Sequence, residues 1–120
     1  MSLSKQRQVL GIIATDRTFE RASHRGREVW LGKCLHCNTH LAVALDGTPI
    51  SRATIEHILP RTAGGTDAIE NLALACAGCN ASKGIRVDHL PPTDARFQEV
   101  VEKLRVKRMK RWREPESSTE

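Results

Sequence analysis

Two short motifs constrain this 120-residue chain more than anything else in it: Cys34-x-x-Cys37 and Cys76-x-x-Cys79. Two residues between cysteines let both thiolates face one ion from a single tight turn, and two such turns complete a tetrahedral four-cysteine zinc site. The pairs lie further apart than in a simple zinc ribbon, so the spacing predicts a folded insert between them. Four protein ligands leave no open position, which makes such a zinc structural. Two disulfides or four buried thiols are the alternatives. The spacing and a reducing compartment favour zinc. A mixed site drawing on His36 or His40 is a further alternative, but four thiolates suffice, and both histidines read as ordinary surface residues.

A metal staple suits the composition. Phe19, Trp30, Phe97 and Trp112 are the only large aromatics, with no tyrosine, so the core must be aliphatic and thin. The length fits one domain, with or without arms. No apolar run is long enough to cross a membrane, and Val9 to Ala14 is too short and too charged at its flanks for a signal peptide. The expectation is therefore a cytoplasmic chain with no membrane partner.

The net charge is +5 and the pI about 9.4, which favours a polyanionic partner. Residues 1–33 carry seven Lys/Arg against three Asp/Glu, residues 34–92 four against five, and residues 93–113 eight against three. Basic flanks around a near-neutral middle would suit a binding surface around a central site. Solvated basic helices are the plain alternative.

Periodicity predicts a helix over 3–22, a turn over 23–27, and short strands at 29–31, 41–45 and 54–59. Pro60 ends the third strand. A loop follows through Gly64-Gly65, then an extended 71–75. Helical turns are expected over 77–83 with Gly84 as their stop, and a last helix capped by Thr93 or Asp94 to about Arg113. The resulting division is an N-terminal basic helical arm (1–27), a core (28–90), a C-terminal basic helix (91–113) and a disordered acidic tail (114–120).

Between and within the knuckles run Glu56-His57-Ile58-Leu59-Pro60, Gly64-Gly65, Asn71-Leu72 and Cys79-Asn80-Ala81-Ser82-Lys83. In this order, over residues 34–84, they resemble the HNH endonucleases in their HNN variant. The resemblance implies an α+β fold with a ββα-metal core, braced by zinc and flanked by helices. It implies a metal-dependent DNA endonuclease that nicks or cuts double-stranded DNA, leaving a 5′ phosphate and a 3′ hydroxyl. It makes His57 the general base, Asn71 the residue that holds the loop and orients that base, and Glu56 and Asn80 the ligands of a catalytic Mg²⁺ or Mn²⁺. The family commonly has Asp where this chain has Glu56, one methylene longer.

The residues make chemical sense on their own terms. Phosphodiester hydrolysis needs a deprotonated water, an offset for phosphate charge and a stabilised leaving oxygen. His57 is the one candidate base flanked by a carboxylate and a turn, and histidine is the side chain that titrates near neutrality. Neighbours on a strand point to opposite faces, so Glu56 and His57 converge on one phosphate only if the strand ends or distorts there. Carboxylate and amide oxygens suit a hard cation. Arg61, Lys83, Arg105, Lys107, Arg108, Lys110 and Arg111 are candidate DNA-phosphate contacts, with Lys103, Arg113 and the N-terminal Arg17, Arg21, Arg25, Arg27 and Lys33 adding charge. Taken singly, each site residue has a plain structural reading, and His24 and His89 keep theirs. The rival functions are a zinc-braced DNA-binding module without catalysis and a chain whose basic helices bind an acidic protein.

Overall fold

The computed structural model describes residues 2–116. Its elements are a helix α1 (Leu3–Ala14), strands β1 (Glu20–His24), β2 (Arg27–Lys33), β3 (His40–Ala44), β4 (Ala53–His57) and β5 (Leu72–Cys76), and helices α2 (Ala77–Lys83) and α3 (Ala95–Lys110). The class is α+β. The three strands β1-β2-β3 form one antiparallel sheet, and β4-β5 form an antiparallel hairpin that leads directly into α2. The second knuckle is part of that ββα unit, with Cys76 closing β5 and Cys79 on α2, while β4 and most of β5 fill the insert between the knuckles.

The N-terminal helix is shorter than periodicity predicts. Ser2 caps its start, accepting from the Lys5 amide. At the other end the Thr15 hydroxyl donates back to the carbonyls of Gly11 and Ile12, and the Asp16 carboxylate accepts the Thr18 amide in a tight turn. Both side chains offer the backbone an alternative to continued helix. Residues 20–24 are instead an edge strand paired with β2 through a two-residue turn at Arg25-Gly26, where both φ angles are positive. Such a turn matches the twist of the flanking strands.

The β4-β5 hairpin is the centre of the molecule. Side chains alternate across it, so Leu72 and Leu74 pack with Val9, Ile12 and Ile13 of α1, while Ala73 packs with Phe97, Val101 and Leu104 of α3. The flanks expected as arms are thus both seated on the hairpin. They also meet each other: Asp16 and Trp112 form an isolated bridge, and the Arg113 amide donates to Thr15 O. Helix α2 ends with Gly84 as its cap, as expected, but not through a left-handed residue. The Gly84 φ of −57° is right-handed, and the chain continues in a wider helical turn over Gly84–Asp88. The acidic tail expected over 114–120 is described only to Glu116, where Glu114 accepts from the Trp112 indole; the remainder lies outside the described residues. Among the described residues no helix is long and apolar enough to cross a membrane.

Candidate active site and zinc centre

The four cysteine sulfurs lie within 4.8 Å of one another. The first knuckle turns sharply, with Asn38 just after it at φ 65°, and the second passes from β5 into α2, with Cys76 as the helix cap. Amides of His36 and Cys76 point at Cys34 Sγ, and that of Cys79 at Cys76 Sγ. The Leu35 amide donates to Leu74 O, fixing the first knuckle to β5. The Cys79 amide holds the Cys76 thiol below its ordinary range, whereas burial, and then the neighbouring thiols, push Cys79 upward. Four thiols this close cannot all ionise unaided, and a tetrahedral dication is the group that lets them. The donor set fits zinc.

Glu56 and His57 end β4, and the strand stays regular through both: Glu56 pairs with Ala73 and His57 with Leu72. The distortion that would turn the two side chains to one face is absent, so they diverge. The Glu56 carboxylate is fully buried, with Oε1 2.5 Å from His36 Nε2 and Oε2 without a hydrogen-bond partner among the described residues. The His57 ring is partly exposed, and its Nε2 stands 2.8 Å from Asp67 Oδ1. Arg61 Nε also lies 3.3 Å from this nitrogen; with the shorter contact to the carboxylate taken as the bond, Nε2 carries the proton and Nδ1 is left as the basic nitrogen. Arg61 makes two contacts of 2.9 and 3.0 Å to Asp67. The bond from His57, then the charge of Arg61, hold the Asp67 carboxyl below the usual aspartate range.

Asn71 builds the loop behind His57. Its Oδ1 accepts the Leu59 amide at 2.8 Å, and its Nδ2 donates to Leu59 O and Thr66 O. One side-chain amide therefore closes the segment between β4 and β5. Gly65 makes that closure possible, since a Cβ there would sit 1.7 Å from Leu59 O. Gly64 supplies the left-handed residue, φ 94°, that turns the chain.

Helix α2 runs along the outer edge of β4. Carbonyls two residues apart on a strand face the same edge, and Ile55 O accepts from Asn80 Nδ2 while His57 O accepts from Lys83 Nζ. Asn80 Nδ2 also donates to Thr54 Oγ1. With its nitrogen so engaged, the Asn80 amide oxygen has no protein donor among the described residues. Thr54 and Glu56 share a strand face by alternation, so Asn80 stands on the Glu56 side. A buried, unpartnered carboxylate oxygen and a side-chain amide oxygen fit a hard cation; the imidazole of His57 is not gathered with them.

Several expected phosphate contacts are placed otherwise. Lys83 is buried, its ammonium 2.7 Å from Asp88 and 3.6 Å from Glu56, so it braces the site from within. Arg108 is wholly buried and donates to Leu72 O, Thr15 O, Thr15 Oγ1 and Ile69 O; burial lowers its pKa. Arg111 donates to Lys33 O, Cys34 O and Asn38 Oδ1. Arg113 serves Ile13 O, Ala14 O and Phe19 O. A guanidinium has five donors in a planar fork, so these arginines satisfy carbonyls where α3 meets α1 and the knuckle. Arg61, Arg105 and Lys110 remain exposed, and Lys107, half-buried, donates to His36 O.

Two site residues escaped the sequence reading. Asp67 lies in a turn-rich loop with no pattern linking it to His57. His36 reads as a surface residue, because nothing local shows that closing the knuckle brings position 36 against position 56.

Residues 34–86 match the family model described as HNH endonuclease. Comparison with curated proteins gave no match, and comparison with solved structures gave none.

Proposed function

We propose that the chain is a divalent-metal-dependent DNA endonuclease with His57 as general base. The observation that carries the reading is the His57–Asp67 pair, set at the end of β4 by the Asn71-closed loop inside the segment that matches the HNH endonuclease model. Asp67 fixes the ring and leaves Nδ1 to accept a proton from water. Glu56 and Asn80 are the residues that would hold Mg²⁺ or Mn²⁺, which when bound would offset phosphate charge and stabilise a departing oxygen. Because His57 and Glu56 leave opposite faces of β4, a phosphate is addressed by both only across the strand's end, before Pro60. Exposed Arg61, Arg105 and Lys110, with Lys107, would hold DNA by its backbone.

The same divergence favours a second reading, a zinc-braced DNA-binding module without catalysis. A supercoiled-plasmid nicking assay with Mg²⁺ or Mn²⁺ separates the two. Wild type should nick and His57→Ala should not; equal rates in both would remove His57 from the base role.

A further inference from the structure

On the far side of β4 from His57, the Glu56 carboxylate is fully buried, with only His36 and Lys83 as basic groups within 4 Å among the described residues. The nearest cation, Lys83, sits 2.7 Å from Asp88 but 3.6 Å from Glu56. Two carboxylates thus share one ammonium, and with a neutral His36 one negative charge is left over beside the fully buried Glu56. Uncompensated buried charge is strongly unfavourable. The closest group to Glu56 is neither Lys83 nor Asn80 but the His36 imidazole, whose Nε2 lies 2.5 Å from Oε1. Glu56 Oε2 has no hydrogen-bond partner at all among the described residues.

His36 is held for this position twice over. Its amide donates to Cys34 Sγ, and its carbonyl accepts Lys107 Nζ at 3.1 Å. The zinc knuckle therefore presents the ring to β4. His36 also lines a cleft of about 340 Å³ with Ser82, Lys83 and Arg86, which gives the pair an approach from solvent. Lys103 and Lys107 lie three and seven residues beyond Val100, another residue of that cleft, on the same helical face.

We propose that His36 is a ligand of the catalytic cation, together with Glu56, so that one CxxC turn serves both metals: its cysteines the zinc and its middle histidine the divalent ion. This rests on the proposed function for the part played by Glu56, and changes the expected ion. One imidazole nitrogen beside carboxylate and amide oxygens moves preference away from Mg²⁺ and toward Mn²⁺ and the later first-row ions. The ion would also supply the positive charge that the Glu56–Asp88–Lys83 group lacks.

The test is Mn²⁺ binding by the zinc-loaded full chain, read by electron paramagnetic resonance of the free ion, with Mg²⁺ as competitor. Wild type should bind one Mn²⁺ more tightly than Mg²⁺. His36→Gln should weaken Mn²⁺ by at least about 10-fold, the least expected when groups around a metal are removed, and Mg²⁺ by less. His36→Asp should restore binding with Mg²⁺ favoured more than in wild type. Glu56→Gln should weaken both ions. Zinc content and circular dichroism check that each variant keeps its fold, and His36→Asp covers the case in which His36→Gln does not. Loss in Glu56→Gln with wild-type binding in both His36 variants overturns the inference and leaves Glu56 its place in the proposed function. Wild-type binding in all of them, or no Mn²⁺ binding by the native chain, overturns the inference and takes Glu56 out of the metal site as well.

Discussion

The two faces of β4 differ by one residue in sequence and by almost everything in chemistry. On one face Glu56 is sealed from solvent among His36, Lys83 and the knuckle; on the other His57 meets solvent beside the exposed Asp67 and Arg61. Strand alternation makes that division, and hairpin register continuing through His57 preserves it. The buried face concentrates charge in low dielectric, where it favours a cation. The open face keeps an orientable base in contact with water. A nuclease needs both, and adjacent positions on one strand supply them without placing like-natured groups in each other's field.

The largest effect is expected at the four-cysteine cluster, whose donor set fits zinc and whose knuckles brace β5 and α2. Structural zinc contributes about 10–16 kcal/mol in small metal-folded peptides, against about 5–15 kcal/mol for the whole stability of a domain. Stripping the metal with a strong chelator, or Cys76→Ser, should therefore abolish cooperative thermal unfolding, and zinc return should restore it to the chelated wild type. A chain that unfolds with an unchanged midpoint after zinc loss would show that the knuckles are ornamental to both faces.

Next comes the open face alone. His57→Ala should lower the nicking rate by about 10²–10⁴-fold, the range for a general base, with the melting temperature close to wild type. A variant that nicks at wild-type rate would place catalysis wholly on the buried face.

Arg108 tests a different division, between charge that holds the fold and charge that faces outward. Arg108→Leu orphans buried carbonyls of Leu72, Ile69 and Thr15 and should cost about 3 kcal/mol, since each unsatisfied buried group costs about 1–3 kcal/mol. The exposed Lys110→Ala should stay within about 0.5 kcal/mol. Thermal or urea unfolding reads both.

How much of this was legible in the sequence follows the range of the signal. Knuckles, short strands and the helix over 77–83 are written in neighbouring residues, and the structure has them. The helix over 3–22 was overrun because Leu and Phe spacing continues past Thr15 and Asp16, whose hydroxyl and carboxylate end it. The basic residues of the last helix look alike in sequence. Only its packing against α1 and the knuckle separates Arg108 and Arg111, which donate inward, from Arg105 and Lys110, which face out. The His36–Glu56 contact spans 20 residues and the His57–Asp67 contact spans 10. Neither pair leaves a periodicity, because each is made by loop closure. Of the two ways Glu56 and His57 could have converged, the strand ends at His57 but does not distort there, and Ile58 N still donates to Asn71 O.

The smallest effect expected is also the one that best resolves how the open face works. Asp67→Asn keeps the shape of the loop and an oxygen near His57 Nε2 but removes the carboxylate that orders the ring. Asp67 is exposed, so solvent weakens its field, and a loss of about 10-fold in nicking, below the roughly 10²–10⁴-fold of a general base itself, is expected rather than the full loss of His57→Ala. The pH dependence gives an independent reading. The folded-state Asp67 carboxyl is held below the ordinary aspartate range, chiefly by the bond from His57 and then by Arg61. Its contribution to stability is therefore fully present above the unfolded aspartate value, about 3.9, and is lost as pH falls through the lower folded value. Wild type should lose melting temperature in that acid window more steeply than Asp67→Asn, and the two curves should run parallel above about pH 5. Parallel curves throughout, with undiminished nicking, would mean that the His57–Asp67 contact orders nothing, and that the open face owes its geometry to the Asn71 closure alone.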